Sequence, residues 1–387
     1  MTAGVGGAGS LRVALVCPYS LSRPGGVQGQ VLGLARSLTS RGHLVTVFAP
    51  VDAPVTVPEG VELVTTGHST SLRANGSVAP VSVSPAAARR ALDQLRERTP
   101  DVVHVHEPFA PGLPYALLVG GDLPPVVATF HRSGGSILYS LLRPIARRLA
   151  TRLSARVAVS AAAAATARRA LGGEYEVLFN GIEVDRYVGV VPWPTTGPTA
   201  LFLGRHEARK GLEVLLEGWR QVLADGLATA SGPPELWVAG DGPETADLQR
   251  RFPQSGSVHW LGIVDEEEKV RRLVGADVLV APALGGESFG LVLLEGMAAR
   301  TVVVASDIDG YRDAAGGRAV LVAPGDAPAL AGALRGVLAG DLAPSDGTGR
   351  REDWLDAGAE RAGHWSMGSL AERYEDVYRD VVVRVLP

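Results

Sequence analysis

Leu11-Arg-Val-Ala-Leu-Val-Cys-Pro-Tyr-Ser-Leu-Ser-Arg-Pro-Gly-Gly-Val-Gln28 decides the fold. Its first seven residues form a short apolar run of the kind that makes a buried parallel strand, and Val27, Val31, Leu34, Ala35 and Leu38 then recur at helical spacing. Gly42 closes that helix and Leu44–Ala49 reads as the next strand, so the opening is a βαβ unit. Gly25-Gly26 falls between strand and helix, where first-turn amides can face an anion with no Cβ in the way; a plain tight turn explains the pair equally well. The earlier Gly4-Val-Gly-Gly-Ala-Gly9 also matches G-x-G-x-x-G. It precedes the first strand instead of following one, so residues 1–10 read as a flexible tail.

The same alternation continues outward. Strands are expected at Val61–Thr65, Asp101–Val105, Val126–Phe130, Ala155–Val159 and Glu176–Leu178, with helices at Pro85–Glu97, Ser136–Leu153 and Ala161–Leu171. Residues 186–198, rich in proline and glycine, read as a linker. Beyond it come strands Ala200–Leu203, Leu236–Ala239, Val258–Leu261, Val278–Ala281, Val302–Ala305 and Ala319–Val322, with helices Gly211–Leu223, Glu244–Arg251, Glu266–Val274, Phe289–Ala298 and Ala327–Leu338 between or after them. Two doubly wound α/β domains in tandem follow, residues 11–185 and 199–365. Trp354, Trp365, Leu370, Tyr374, Val377, Tyr378 and Val381 read as an amphipathic helix, with residues 366–387 packing on a surface already built.

Composition fits this plan. The 387 residues allow two or three domains, and 46% apolar with 20% charged residues and a net charge of −4 excludes disorder and a strongly basic nucleic-acid binder. The single cysteine, Cys17, excludes an internal disulfide framework and a cysteine-cluster metal site, and it points to a reducing cytoplasm. No apolar run approaches 18 residues and the N-terminus lacks a signal-peptide pattern, so neither a membrane span nor secretion is expected.

Basic residues are unevenly used. Only Lys210 and Lys269 of the 37 are lysine, and residues 123–173 hold eight arginines with no Asp or Glu. Within that block the helix expected over 136–153 has an apolar stripe of Ile137, Leu138, Leu141, Leu142, Ile145, Leu149 and Leu153 beside arginines, which suits a membrane-surface helix or a core helix with solvated arginines. Tyr139 is the block's main aromatic between strands, so the interleaved pattern of a nucleic-acid site is missing.

Chemistry concentrates in the second half. Strand Leu201–Gly204 runs into Arg205-His-Glu-Ala-Arg-Lys-Gly211, placing Arg205 and Lys210 at the carboxyl end of a strand, where open α/β sheets bind ligands. A guanidinium and an ammonium on one rim suit a diphosphate; a solvated loop is the plainer alternative. Glu287 and Glu295 are eight apart, a little over two helical turns, so both are expected on nearly one face of the helix opening at Ser288-Phe-Gly290. Carboxylates so placed can read vicinal hydroxyls; capping and a solvated face are the alternatives. Gly286-Glu-Ser-Phe-Gly290 also fits G-x-S-x-G, with His364 downstream, which leaves open an α/β-hydrolase using Ser288, although Pro282–Glu287 intervene after the strand. A catalytically silent nucleotide-sugar or membrane-surface binder is the third possibility. Asp307 and Asp309 read as helix capping in preference to a metal pair. His104 and His106 lie on a strand, and the scattered histidines form no metal cluster.

Pro18-Tyr-Ser, Pro24-Gly-Gly-Val-Gln28, His104-Val-His-Glu-Pro108, Phe130-His131, Phe179-Asn-Gly181, Gly204-Arg through Lys210-Gly211, and Gly285-Gly-Glu-Ser-Phe-Gly through Glu295 resemble the family-4 retaining glycosyltransferases of GT-B fold. The similarity runs from Leu11 to about Tyr378 and is strongest to the members that mannosylate inositol lipids. It implies two Rossmann-like domains facing across a cleft, with a C-terminal helix crossing back to the first. It implies a nucleotide-sugar substrate, GDP-mannose by preference, with no cofactor or metal. By the same resemblance Gly25 and Gly26 would meet the donor phosphates, and Arg205 and Lys210 would neutralise the departing diphosphate. Glu287 with the amides at Ser288, Phe289 and Gly290 would hold the sugar, Glu295 the ribose, and the Val264 backbone with the Glu266 carboxylate the nucleobase. His131 would stand beside the reacting carbon, and Tyr19 and Gln28 toward the acceptor. The acceptor would be a lipid-linked inositol or another polyol, met in the cytoplasm or at the inner face of the plasma membrane. Pro80-Val-Ser-Val83 and Phe109 stand where the inositol-specific members carry arginines and asparagine.

Overall fold

The computed structural model describes residues 9–23, 25–74, 77–121, 123–131, 143–227, 232–253, 256–287, 289–340 and 350–384. The chain forms two compact units, one running up to Gly181 and resuming at Met367, the other spanning Ile182–Ser366. Residues 132–142, which make up much of the expected helix over 136–153, and Ser288 lie outside the described residues.

In the first unit the parallel sheet consists of β1 (Arg12–Val16), β2 (Leu44–Ala49), β3 (Glu62–Thr65), β6 (Val102–His106), β7 (Val126–Phe130), β8 (Ala155–Ala158) and β9 (Glu176–Val177). It is ordered β3-β2-β1-β6-β7-β8-β9. The chain leaves β1 toward one edge and later returns to β6 on the other side, so the strand order reverses between β1 and β6, the switch point of a doubly wound fold. β4 (Thr70–Ala74) and β5 (Ser77–Val81) add an antiparallel hairpin that the sequence reading did not foresee. One sheet face packs α1 (Gly26–Ser40), whose Val31, Leu34, Ala35 and Leu38 are fully buried as their spacing requires. α2 (Pro85–Arg98) and α3 (Leu113–Val119) cover the other face with α4 (Arg143–Ala150) and α5 (Ala161–Leu171).

The second unit repeats the plan with β10 (Thr199–Leu203), β11 (Glu235–Ala239), β12 (Val258–Gly262), β13 (Val278–Ala281), β14 (Val302–Ser306) and β15 (Val320–Val322), ordered β12-β11-β10-β13-β14-β15. Its switch point lies between β10 and β13. The helices are α6 (Leu212–Ala224), α7 (Thr245–Arg251), α8 (Glu266–Gly275), α9 (Leu291–Ala298), α10 (Asp309–Ala315), α11 (Ala327–Leu338) and α12 (Arg351–His364).

Three expectations change. Residues 186–198 do not stand apart as a linker: Tyr187 is buried, the Trp193 amide donates to the Arg271 carbonyl at 2.8 Å, and the guanidinium of Arg272 lies 4.2 Å from the Trp193 ring. An aromatic ring held by cations cannot swing as a free tether. The tail is two helices, not one: α12 with Trp354 belongs to the second unit, and α13 (Met367–Val383) to the first. In α4 the buried side is Ala146 and Ala150, followed by Leu153, whereas Ile145 from the expected stripe is 58% exposed beside exposed Arg147 and Arg148.

α13 is fastened along its length to the first unit. Leu370, Tyr374, Val377, Tyr378 and Val381 enter the core cluster that holds Val13, Leu15 and Val31. Glu375 meets Arg41, His43 and Arg379. Burial disfavours its charge, but these hydrogen bonds outweigh burial and hold its carboxyl at about 2. At the crossing, the buried Gln30 side chain donates to Gly181 O at 2.8 Å and accepts from Gly181 N at 2.9 Å, closing the first unit where the chain departs.

Candidate functional site

Gly211 sets the geometry of the rim after β10. Its φ is +70°, and a Cβ there would stand 1.9 Å from the Pro282 carbonyl oxygen, so only glycine lets this loop lie against the loop after β13. The Leu284 amide donates to Arg209 O at 2.8 Å and joins the two loops, both at the switch point of the second sheet. As a result Lys210 Nζ lies 2.7 Å from Glu287 Oε1, and Arg209 Nη1 donates to that oxygen at 2.6 Å. Arg205 Nη2 and Arg209 Nε are each 3.0 Å from a carboxylate oxygen of Glu207. Three cations therefore share two carboxylates at the strand ends, with one positive charge left over. The Arg205 side chain is 61% exposed and Glu287 only 14%, so the arginine is available to a ligand while Glu287 is held in place.

The expectation that Glu287 and Glu295 share a helix face is corrected. α9 starts at Leu291, and Gly285, Gly286 and Gly290 all have positive φ, so Glu287 belongs to an extended loop before the helix. β13 ends at Ala281 and α9 starts at Leu291, so this strand does not turn directly into its helix as a hydrolase elbow requires. Phe289 turns its ring onto Trp365, centroids 4.8 Å apart. Gly290 is packed against Tyr311: a Cβ would come within 2.8 Å of that ring.

Glu295 lies in α9 and meets a partner the sequence reading did not assign. Lys269 Nζ is 3.2 Å from Glu295 Oε1 and 2.9 Å from Glu266 Oε2, so one ammonium joins the two carboxylates expected at ribose and nucleobase. Burial opposes the charge on Lys269, yet Glu295 and Glu266 outweigh it and its amine titrates above the ordinary lysine range. Glu266 also meets Arg186 at 3.3 Å. Val264, in the loop two residues beyond β12, packs its side chain on the core. Both lysines of the chain thus hold carboxylates singled out from sequence, and their rarity was the one signal for Lys269. Arg209 carried no signal at all.

The first unit presents its own strand ends. Gly25 is the exposed N-cap of α1, and Gly26 opens the helix with nothing within 4 Å of where a Cβ would be. The first-turn amides there lack intrahelical acceptors. A Cβ on Gly25 would meet Gln28 Oε1 at 2.4 Å. Gln28 is buried and donates to Ser20 O at 3.3 Å and Arg23 O at 3.1 Å, so it braces the glycine loop. Tyr19 is half-buried and bridges to Val81. His131 follows directly on β7, half-buried, its amide donating to Glu107 Oε1 at 2.7 Å and its Nε2 2.8 Å from His106 Nδ1. Burial holds its imidazole neutral down to about 4.

Residues 24–186 match the model of Glycosyltransferase Family 4, and residues 197–340 that of Glycosyl transferases group 1. The chain is 38% identical over 379 residues to the phosphatidyl-myo-inositol mannosyltransferase of Mycobacterium leprae, covering 96% of this chain and 97% of that one. Identity to the corresponding protein of Mycolicibacterium smegmatis is also 38%, over 359 residues and 89% and 90% of the two chains. Among solved structures, sucrose-phosphate synthase from Thermosynechococcus elongatus superposes with a TM-score of 0.72 at 20% identity, over 96% of this chain and 99% of that one, a likeness of fold.

Proposed function

This chain belongs to the family-4 glycosyltransferases of GT-B fold, and from that membership we propose that it moves mannose from GDP-mannose to an inositol lipid with retention of anomeric configuration. The observation that carries the reading is the convergence of Arg205, Arg209 and Lys210 on Glu207 and Glu287 at the switch point of the second sheet. A diphosphate takes the place of the carboxylates on these cations, and Glu287, once released, accepts hydrogen bonds from sugar hydroxyls. The bond from the anomeric carbon to the β-phosphate oxygen breaks, and that carbon bonds the acceptor oxygen on the same face. The acceptor proton passes to the leaving phosphate, and GDP departs. Charge growing on the diphosphate meets cations already in position, the arrangement that usually contributes most to catalysis. Glu295, Lys269 and Glu266 bind ribose and base, Val264 contributes its backbone, and the amides at Gly26 approach the phosphates. His131 serves the reacting centre from the first unit.

Among the described residues no helix is long and apolar enough to cross a membrane. Exposed Ile145 with Arg147 and Arg148 supports a peripheral meeting with the lipid acceptor. The test offers GDP-mannose, UDP-glucose and UDP-N-acetylglucosamine to the purified chain with phosphatidylinositol vesicles. Label is expected in lipid from GDP-mannose alone, as the α-mannoside by NMR coupling; transfer from a UDP donor, an inverted product or free mannose only would reject the reading.

A further inference from the structure

We propose that His106 is a positioning residue that fixes His131 in the tautomer protonated on Nδ1, so that His131 meets substrate as a hydrogen-bond donor and not as a base. The glycosyltransferase reading enters only in saying what His131 faces; the tautomer rests on the first unit's own geometry.

Contact between the two imidazoles at 2.8 Å, His106 Nδ1 to His131 Nε2, requires one proton. Burial lowers both groups, His131 to about 4 and His106 well below its ordinary value, so near neutral pH each ring carries a single proton. Two arrangements remain. If His131 Nε2 donates, the proton of His106 must sit on Nε2. That atom is buried with no hydrogen-bond partner among the described residues, leaving an orphaned N–H. If His106 Nδ1 donates, the buried atom is a bare lone pair. Orphaned buried N–H groups are the rarer and costlier defect, so the second arrangement holds. His131 Nε2 then accepts, and its proton lies on Nδ1, the nitrogen left for a ligand.

His106 is itself held from behind. His104 stacks on it with ring centroids 4.4 Å apart, and His104 is pinned at Nδ1 by Tyr378 Oη and at Nε2 by Thr129 Oγ1, both at 2.7 Å. Thr129 also meets Tyr374 Oη at 2.8 Å. The closing helix α13 thereby sets the orientation of a residue at the C-terminal end of β7 through two buried histidines.

Nitrogen-15 spectra of histidine-labelled full-length protein, assigned with a His131→Asn control, read the tautomer directly. The expected spectrum shows His131 protonated at Nδ1 and bare at Nε2; the reverse would overturn the proposal. In His106→Leu the His131 signal should move to the other tautomer or to a mixture, and kcat should fall about tenfold or more, the usual cost of losing a tautomer-fixing partner. KM for the donor should stay unchanged. His106→Asn, whose amide can donate from near the Nδ1 position, should restore both signal and kcat. Unaltered His131 spectra and kcat in His106→Leu would overturn the proposal. Should His106→Leu fail to fold, the wild-type spectrum and His106→Asn decide it. If the chain transfers no sugar from any donor, the activity reading fails while the tautomer measurement still decides this one.

Discussion

Lys210 Nζ lies 2.7 Å from Oε1 of Glu287, and Arg209 donates to the same oxygen. One carboxylate thus restrains two of the three cations that the proposed reading assigns to the diphosphate. Glu287→Gln removes the competing charge, so GDP should bind as tightly or more tightly by calorimetry, while mannosyl transfer should fall by about 10²–10³ because a sugar contact is gone. Weaker GDP binding with intact transfer would reverse the assigned role.

Lys269→Met leaves Glu266 and Glu295 facing each other without their shared ammonium. Glu266 is largely exposed and solvent screens it, so the loss falls mainly on the half-buried Glu295 carboxylate. The donor KM should rise at least tenfold with kcat little altered, as steady-state kinetics can measure. A fall in kcat at constant KM would move Lys269 from nucleotide binding to the chemical step.

Two glycines separate folding from ligand approach. Gly211→Ala puts a Cβ against the Pro282 carbonyl at positive φ and should lower the melting temperature and activity together. At Gly26 a Cβ meets nothing within 4 Å, so Gly26→Ala should fold normally and raise the donor KM. A wild-type KM in Gly26→Ala would remove this glycine from the phosphate site.

Stability should decline in acid in two stages. Burial holds His104 at about 3 and His131 at about 4, with His106 also well below 6.5. Below pH 6.5 the unfolded chain therefore binds more protons than the native one, and stability falls as pH drops. Glu375 at about 2, and Asp52 at about 2 through hydrogen bonds from Ser69 and Ser20, add their losses only below their ordinary values of 4.5 and 3.8. Calorimetry of the first transition at pH 7, 6 and 5 should show a falling melting temperature before the carboxylates titrate; a flat profile would contradict the buried neutral histidines.

α13 should act on the first unit. Leu370→Ala should cost about 2–5 kcal/mol by cavity formation. Tyr378→Phe should cost about 1–3 kcal/mol by orphaning the nitrogen of His104 it meets. Under the proposed reading most GDP contacts come from the second unit, so GDP affinity should survive both; its loss would show that α13 supports the donor site as well.

Periodicity made the two sheets legible, because buried parallel strands are apolar runs and α1 keeps strict helical spacing. The Arg205–Lys210 rim was legible because strand ends bind ligands in this architecture. The shared face of Glu287 and Glu295 was not real: three glycines at positive φ extend the loop, and eight-residue spacing means nothing once the helix starts at Leu291. Arg209 and the pairing of His106 with His131 depend on contacts across 78 and 25 residues, which no local pattern encodes. The stretch 186–198 looked like a tether because proline and glycine dominate it, yet buried Tyr187 and the stacking of Trp193 with arginines from α8 anchor it.

The most direct test of the cation cluster is single-turnover mannosyl transfer at saturating GDP-mannose by Arg205→Ala and Lys210→Ala, beside wild type. Stabilisation of the departing diphosphate predicts a rate lower by about 10²–10³ in each, with GDP-mannose still bound. Undiminished transfer in either variant would contradict it.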